Sequence, residues 1–167
     1  NGQCPSLVFW GPPGVGKTTI ARLIARQVDA HFIAISAVLA GVKELRDAVA
    51  QAQQQKQGLL ARRTILFVDE IHRFNKAQQD YLLPFVESGQ IILIGATTEN
   101  PSFEVIPALL SRCQVYILNA FSKEDLEALL HRAIEVDEVL QTKKINLKET
   151  EALLRLSGGD GRKLLNV

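Results

Sequence analysis

Residues 11–18 read Gly-Pro-Pro-Gly-Val-Gly-Lys-Thr and fit the pattern GxxxxGK[ST]. Glycines let backbone N–H groups turn inward around phosphate oxygens, where a Cβ would obstruct them. A helix that begins at Lys17 adds its partly positive amino end. We expect Lys17 to reach the β- and γ-phosphates of ATP and the Thr18 hydroxyl to bind Mg²⁺. The alternative is a glycine turn that binds no nucleotide. The predicted phosphate-binding residues are Gly11, Pro12, Pro13, Gly14, Val15, Gly16, Lys17, Thr18 and Thr19.

Two adjacent acids, Asp69 and Glu70, follow an apolar run. In a parallel sheet the carboxyl ends of the strands face the ligand crevice, so both side chains should lie near the phosphates. We expect Asp69 to complete the Mg²⁺ shell and Glu70 to orient and deprotonate the attacking water. An ordinary acidic turn is the alternative. For His72, a surface position or a structural hydrogen bond is favoured over metal ligation.

Two further polar segments are ambiguous when taken alone. Residues 95–100 end a predicted strand in hydroxyl and acidic groups, and a hydroxyl there could bond the γ-phosphate or the water. A simple strand end and turn explains them equally well. Ser111-Arg112-Cys113 precedes another predicted strand and carries no signal by itself.

Apolar periodicity predicts strands that alternate with helices, which is typical of a parallel sheet with helices on both faces. The fold class is therefore α/β, a P-loop NTPase with a five-stranded parallel sheet. The predicted strands are 6–10, 32–35, 64–68, 90–97 and 114–118. The predicted helices are 17–28, one from 42 that fades into the glutamine-rich stretch 51–57, one from the N-cap Asn75 to about Glu87, and 105–110.

The pattern changes after Asn119. Ser122 and Asp125 form a capping box that opens a helix, and a second helical stripe is broken by glycines at 158–161. We predict a nucleotide-binding α/β domain over 1–119, which lacks its upstream segment, and an incomplete helical lid lobe over 120–167. The chain starts at Asn1, has no methionine and meets its glycine loop almost at once, so we expect both ends to be truncated.

Composition is that of an ordinary globular chain, with 167 residues, 47% hydrophobic, 22% charged and a net charge of +1. Any DNA-binding surface must then be a local patch or lie outside this sequence. No apolar run of about 18 residues and no secretory leader is visible, so no membrane contact is expected. Cys4 and Cys113 have no CxxC partner, which favours a reducing cytosol.

Five motifs, taken in order, resemble AAA+ ATPases of the clamp-loader clade. They are Gly11-Pro-Pro-Gly-Val-Gly-Lys-Thr18, Asp69-Glu-Ile-His72, Gly95-Ala-Thr-Thr-Glu-Asn100, Ser111-Arg-Cys113 and Gly159-Asp-Gly-Arg162. More narrowly, residues 72–80 and 94–103 resemble the replication-associated recombination ATPases of bacteria and their eukaryotic relatives. The resemblance covers nearly the whole chain.

This resemblance implies roles for single residues. Thr98 would be the sensor-1 residue, Arg112 an arginine finger acting on ATP in a neighbouring subunit, and Arg162 the sensor-2 residue for its own subunit's ATP. Ser36 stands where relatives restrain the catalytic glutamate. Since Arg112 follows the fourth strand and a short helix, we expect it at the rim of the sheet's carboxyl face.

The resemblance also implies a DNA-maintenance ATPase. It would form a homo-oligomer and act on single-stranded gaps or stalled forks in the cytoplasm, associated with the nucleoid. Single-strand binding protein and the sliding clamp are candidate partners. The alternatives are a clamp-loader subunit that binds the clamp under ATP control, a small-molecule P-loop kinase, and an inactive scaffold.

Overall fold

The computed structural model describes residues 4–57, 62–143, 145 and 149–166. Five strands form one sheet, in the order β2-β3-β4-β1-β5, and every neighbouring pair is parallel. The predicted parallel five-stranded sheet is confirmed. The strands are β1 (Ser6–Trp10), β2 (His31–Ser36), β3 (Thr64–Asp69), β4 (Ile91–Thr97) and β5 (Cys113–Ile117).

The strands β3 and β4, in the interior of the sheet, are almost entirely apolar, as strands covered on both faces must be. All seven residues of β4 are buried, and so are Thr64 to Val68 of β3. By contrast, β5 pairs only with β1 in this strand order and forms an edge of the sheet, and its residues after Cys113 are exposed.

Helices cover both faces of the sheet. Residues of α2 (Val42–Gln57) and α3 (Lys76–Glu87) share a buried cluster with Leu66 and Val68. Phe67 points to the opposite face because side chains alternate along a strand. There it stacks on Phe32, whose ring lies 5.2 Å from the Arg22 guanidinium of α1 (Lys17–Gln27).

Two helices of the structure differ in their bounds from the sequence-based prediction. α2 does not fade but continues to Gln57, because its buried residues anchor it and glutamine is a good helix former. The predicted helix 105–110 is wrong at its start. Two short helices are present instead, α4 (Pro101–Glu104) and α5 (Pro107–Leu110). Ile106 has a non-helical backbone, with φ of −59° and ψ of 140°, because Pro107 disfavours helical backbone in the residue before it.

The described residues divide into two compact units. The first comprises those within 1–10 and 17–117, and it holds the sheet. The second comprises those within 11–16 and 118–167. It contains α6 (Lys123–Val136), α7 (Glu138–Thr142), α8 (Glu151–Ser157) and α9 (Gly161–Leu165), of which α7 was not predicted. Leu126, Leu130, Leu154 and Leu164 form its core.

Among the described residues, no helix has both the length and the apolar character needed to cross a membrane.

The predicted capping of α3 is confirmed and makes its stability testable. The Asn75 side chain accepts a hydrogen bond from the Gln78 N–H, and the Gln78 side chain accepts one from the Asn75 N–H. Asn75→Ala should lower the free energy of unfolding by about 1 kcal/mol. Urea denaturation followed by circular dichroism measures this. Lys76→Ala, an exposed change in the same turn, is the control and should have little effect. Equal stability of the two variants would contradict the capping argument.

Candidate functional site

The carboxyl edge of the sheet brings together three of the predicted site residues. β3 ends at Asp69 and its neighbour β4 ends at Thr97, so Asp69, Glu70 and Thr98 emerge at one edge of the first unit. On the other side of β3, Ser36 pairs with Asp69 in register, and the Ala37 N–H donates to the Asp69 carbonyl at 2.9 Å.

The Glu70 carboxylate is bonded by residues from both strand ends. Thr98 Oγ1 donates to Glu70 Oε2 at 3.3 Å, and His72 Nδ1 lies 3.2 Å from the same oxygen. The predicted hydrogen-bonded histidine is therefore present, and its bond partner is the predicted catalytic acid. The Ser36 restraint stays a prediction.

Glu70 also has a strained backbone. Its φ of 54° and ψ of 47° lie in the left-handed region, which costs a side chain other than glycine roughly 1–2 kcal/mol. The Glu70 carbonyl accepts from the Arg73 N–H at 2.8 Å, which opens the short 3₁₀ turn Ile71–Arg73. Strain of this kind is concentrated at functional sites, because surrounding structure must maintain it.

The first unit also carries the end of the glycine-loop motif. Lys17 begins α1 and is buried, while Thr18 is half-buried and Thr19 is exposed. A buried lysine followed in the chain by a half-buried threonine supplies the residue types that suit an anionic ligand and its metal ion.

The second unit carries the glycines of the motif. Gly14 and Gly16 have φ of 73° and 92°, values that favour glycine. A Cβ on Gly14 would come within 1.7 Å of Asp160 Oδ1, whereas a Cβ on Gly16 would meet nothing within 4 Å. The Gly161 N–H donates to the Gly14 carbonyl at 3.2 Å.

The remaining predicted residues of this unit differ in exposure. Pro12 and Pro13 are exposed, Gly11 and Val15 are buried, and Arg162 is exposed in the first turn of α9. A Cβ on Gly11 would lie 2.1 Å from the Leu118 carbonyl oxygen, so this position too requires glycine.

The predicted place of Arg112 is wrong. Arg112 directly precedes β5, and β5 runs parallel to β1 with Ser6 opposite Cys113. It therefore lies at the amino edge of the sheet, opposite Asp69 and Glu70. Between β4 and β5 the chain returns through α4 and α5 to the amino edge, where a parallel strand must start. The sequence-based prediction did not take this return into account. The guanidinium forms an ion pair with Glu87 and donates to the Ala108 carbonyl and Ser111 Oγ.

The two cysteines lie near this amino edge, at the starts of β1 and β5, and both are free thiols. Burial raises the pKa of the Cys113 thiol to about 11, so it stays neutral near pH 7. Burial also raises the pKa of Cys4, although the nearby positive charge of Arg63 lowers it in part. Neutral thiols are poor nucleophiles, which argues against thiol chemistry here.

Residues 7–120 match the profile of the ATPase family associated with various cellular activities, known as AAA. The chain belongs to the AAA family. Membership implies nucleotide binding, and it agrees with the strand ends, the acids and the glycine loop described above.

Within this family, the chain is most informatively compared with three longer relatives. This AAA chain is 50% identical, over 99% of its length, to replication-associated recombination protein A of Escherichia coli K12, and 48% identical to that of Haemophilus influenzae. It is 47% identical to ATPase WRNIP1 of Dictyostelium discoideum. These identities confirm the resemblance. The chain spans 37% of the two bacterial relatives and 19% of the Dictyostelium protein.

Solved AAA structures include a similar fold. The Thermotoga maritima RuvB Holliday junction branch migration motor matches with a TM-score of 0.75 at 28% identity. The match covers 97% of this chain and 52% of that one.

Sequence reasoning missed two partners of the predicted residues. For His72 the sequence favours a surface position or a structural hydrogen bond but does not identify Glu70 as the partner, although a place two residues after Glu70 is compatible with a turn that folds back on the acid. The sequence predicts Glu87 only as the end of a helix. Nothing near it in the sequence indicates Arg112, since the two meet only because β4 and β5 both start at the amino edge.

The backbone of Glu70 yields a stability prediction. Glycine adopts φ of 54° without the steric cost that a Cβ imposes. Glu70→Gly should therefore be more stable than Glu70→Ala by about 1 kcal/mol. This reverses the usual order, in which glycine destabilises regular structure. Thermal and urea denaturation of both variants test it, and a more stable alanine variant would contradict the left-handed conformation.

Proposed function

We propose that this chain is the Mg²⁺-dependent, ATP-hydrolysing core of an AAA+ ATPase that maintains DNA during replication and recombination. One observation carries the proposal. The Glu70 carboxylate lies beside Asp69 at the carboxyl edge of the sheet and is held there by Thr98 and His72. A general base for water must have this kind of fixed geometry.

The proposed roles follow the chemistry of each group. Residues 11–19 cradle the phosphates, and the positive φ of Gly14 and Gly16 supports such a loop. Thr18 and Asp69 offer hydroxyl and carboxylate oxygens, the ligands that Mg²⁺ prefers, and the ion would neutralise phosphate charge. Lys17 contacts the β- and γ-phosphates, Glu70 takes the proton of the attacking water, and Thr98 serves as sensor 1.

Arg112 is proposed to act on ATP of a neighbouring subunit. The seven residues of β4 separate the two edges of the sheet by roughly 20 Å at about 3.3 Å per residue. An arginine at the amino edge is too far from Asp69 and Glu70 of its own chain to contact the same phosphate. This separation supports a homo-oligomer in which each ATP site is completed by the next subunit.

The helical residues from 120 on are proposed to be a lid lobe, with Arg162 as its sensor for the γ-phosphate. This proposal rests on the order of the motifs and on the family. The exposure of Arg162 and its place in the first turn of α9 are compatible with it.

The DNA role is proposed from the relatives. Replication-associated recombination protein A is named for such work, and RuvB is described as a Holliday junction motor. We propose that the protein acts on single-stranded gaps or stalled forks, near the nucleoid, with single-strand binding protein or the sliding clamp as partners. ATPase assays on single-stranded, duplex and forked DNA test this step.

The general-base role is tested by Glu70→Gln in the full-length protein. The amide keeps the shape of the side chain but cannot accept the water proton. ATP binding should stay near wild type because Lys17, Thr18 and Asp69 are intact, while turnover should fall by at least about 100-fold. Calorimetry measures binding and phosphate release measures turnover. Hydrolysis near the wild-type rate would show that Glu70 is not the base.

The role of Arg112 is tested by mixing two inactive variants of the full-length protein. Arg112→Ala lacks a finger but keeps an ATP site, and Lys17→Ala lacks an ATP site but keeps a finger. An arginine finger contributes about 10³ to 10⁵ in rate. The mixture should therefore recover part of the DNA-stimulated rate at those interfaces that have both parts.

Size-exclusion chromatography of differently tagged variants must show mixed oligomers. Arg112→Lys is the matched variant, and it should stay impaired because a point charge does not replace the planar multi-donor group. Mixed oligomers with no more activity than the separate variants would mean that Arg112 does not act between subunits.

A further inference from the structure

The neighbours of His72 determine which imidazole nitrogen carries the hydrogen. The Thr97 hydroxyl donates its single hydrogen to the Glu99 carbonyl at 3.1 Å and accepts from the Glu99 N–H at 3.0 Å. His72 Nδ1 lies 3.0 Å from the same hydroxyl oxygen. Since the hydroxyl hydrogen is already used, Thr97 must accept from His72, and Nδ1 must carry a hydrogen.

The second neighbour of Nδ1 leads to the same conclusion. Glu70 Oε2 lies 3.2 Å from Nδ1, and an ionised carboxylate can only accept. The Nδ1–H is thus shared between the Thr97 hydroxyl and the Glu70 carboxylate. His72 therefore connects the end of β3 to the end of β4 and to the Glu99 backbone.

The turn that carries His72 is closely packed. The side chain of His72 is only 9% exposed, compared with 29% for Glu70. Its neighbour Ile71 is fully buried against Gly95, where an added Cβ would come within 3.1 Å of Ile71 Cδ1. A side chain on this turn can fix the carboxylate in a way that a mobile side chain could not.

We propose that His72 is a positioning residue for Glu70. Its Nδ1–H and the Thr98 hydroxyl bind one carboxylate oxygen, Oε2, and so direct Oε1 toward the attacking water. This inference rests on the proposed role of Glu70 as the general base.

Two substitutions of His72 by residues of similar shape distinguish the effect of the N–H donor from the effect of side-chain volume. Asn Nδ2 lies the same number of bonds from the backbone as His Nδ1 and keeps an N–H donor. Leu has nearly the shape of Asn but donates nothing. In the full-length protein with DNA and saturating Mg-ATP, His72→Leu should lower kcat on the order of 10- to 100-fold with little change in KM. His72→Asn should recover most of that loss.

Thermal denaturation and ATP affinity are measured for both variants, because a purely structural histidine would affect them too. A His72→Leu variant with wild-type kcat would overturn the proposal. So would an Asn variant as slow as the Leu variant while both are folded and bind ATP. A loss of kcat matched by a loss of stability or ATP affinity would also overturn it, since His72 would then only support the fold.

Glu70→Gln is assayed alongside to separate this inference from the proposed function. If Glu70→Gln still turns over, the general-base proposal fails and the positioning of Glu70 has no catalytic meaning. If Glu70→Gln is inactive and His72→Leu has the wild-type rate, the general base stands and only the role of His72 is rejected.

Discussion

The shared direction of all five strands is the constraint on which the arrangement of functional groups depends. Because β3 and β4 are parallel neighbours, their ends bring Asp69, Glu70 and Thr98 to one edge without any long-range loop. The same direction sends Arg112, which precedes β5, to the opposite edge. The Glu70 carboxylate and the Arg112 guanidinium are thus kept apart within one chain by the length of a strand. The proposal that a neighbouring subunit completes each ATP site rests on this separation.

The backbone strain at Glu70 is offset by the hydrogen bonds and packing around it. A left-handed backbone costs roughly 1–2 kcal/mol, and the turn that follows it is held by buried Ile71 and by the bonds of His72. A typical hydrogen bond contributes about 1 kcal/mol net, so two or three of them offset the strain. The carboxylate is therefore fixed at a position that a relaxed strand end would not reach.

Much of the sheet could be predicted from sequence, because buried parallel strands such as β3 are continuous apolar runs and Asn75 has a distinct capping pattern. The strand ends predicted the places of Asp69 and Glu70, whereas Thr98 was singled out by the family resemblance. The position of Arg112 could not be predicted in the same way, since it depends on which strand β5 pairs with and on how Pro107 divides the connection. The contacts of His72 and Glu87 depend on that tertiary pairing too.

The ion pair between Arg112 and Glu87 shows how the arginine can be held and still be available. Glu87 ends α3, where the partial negative charge of the helix terminus makes a carboxylate unfavourable, and the arginine offsets this. The two side chains are 39% and 48% exposed, so the pair contributes only about 0–1 kcal/mol. Under the proposed function, a finger stabilises the transition state by roughly 4–7 kcal/mol. The guanidinium would therefore leave Glu87 and bind the phosphate of a neighbouring subunit. Before the subunits associate, the ion pair and the Ala108 carbonyl would hold the side chain in place.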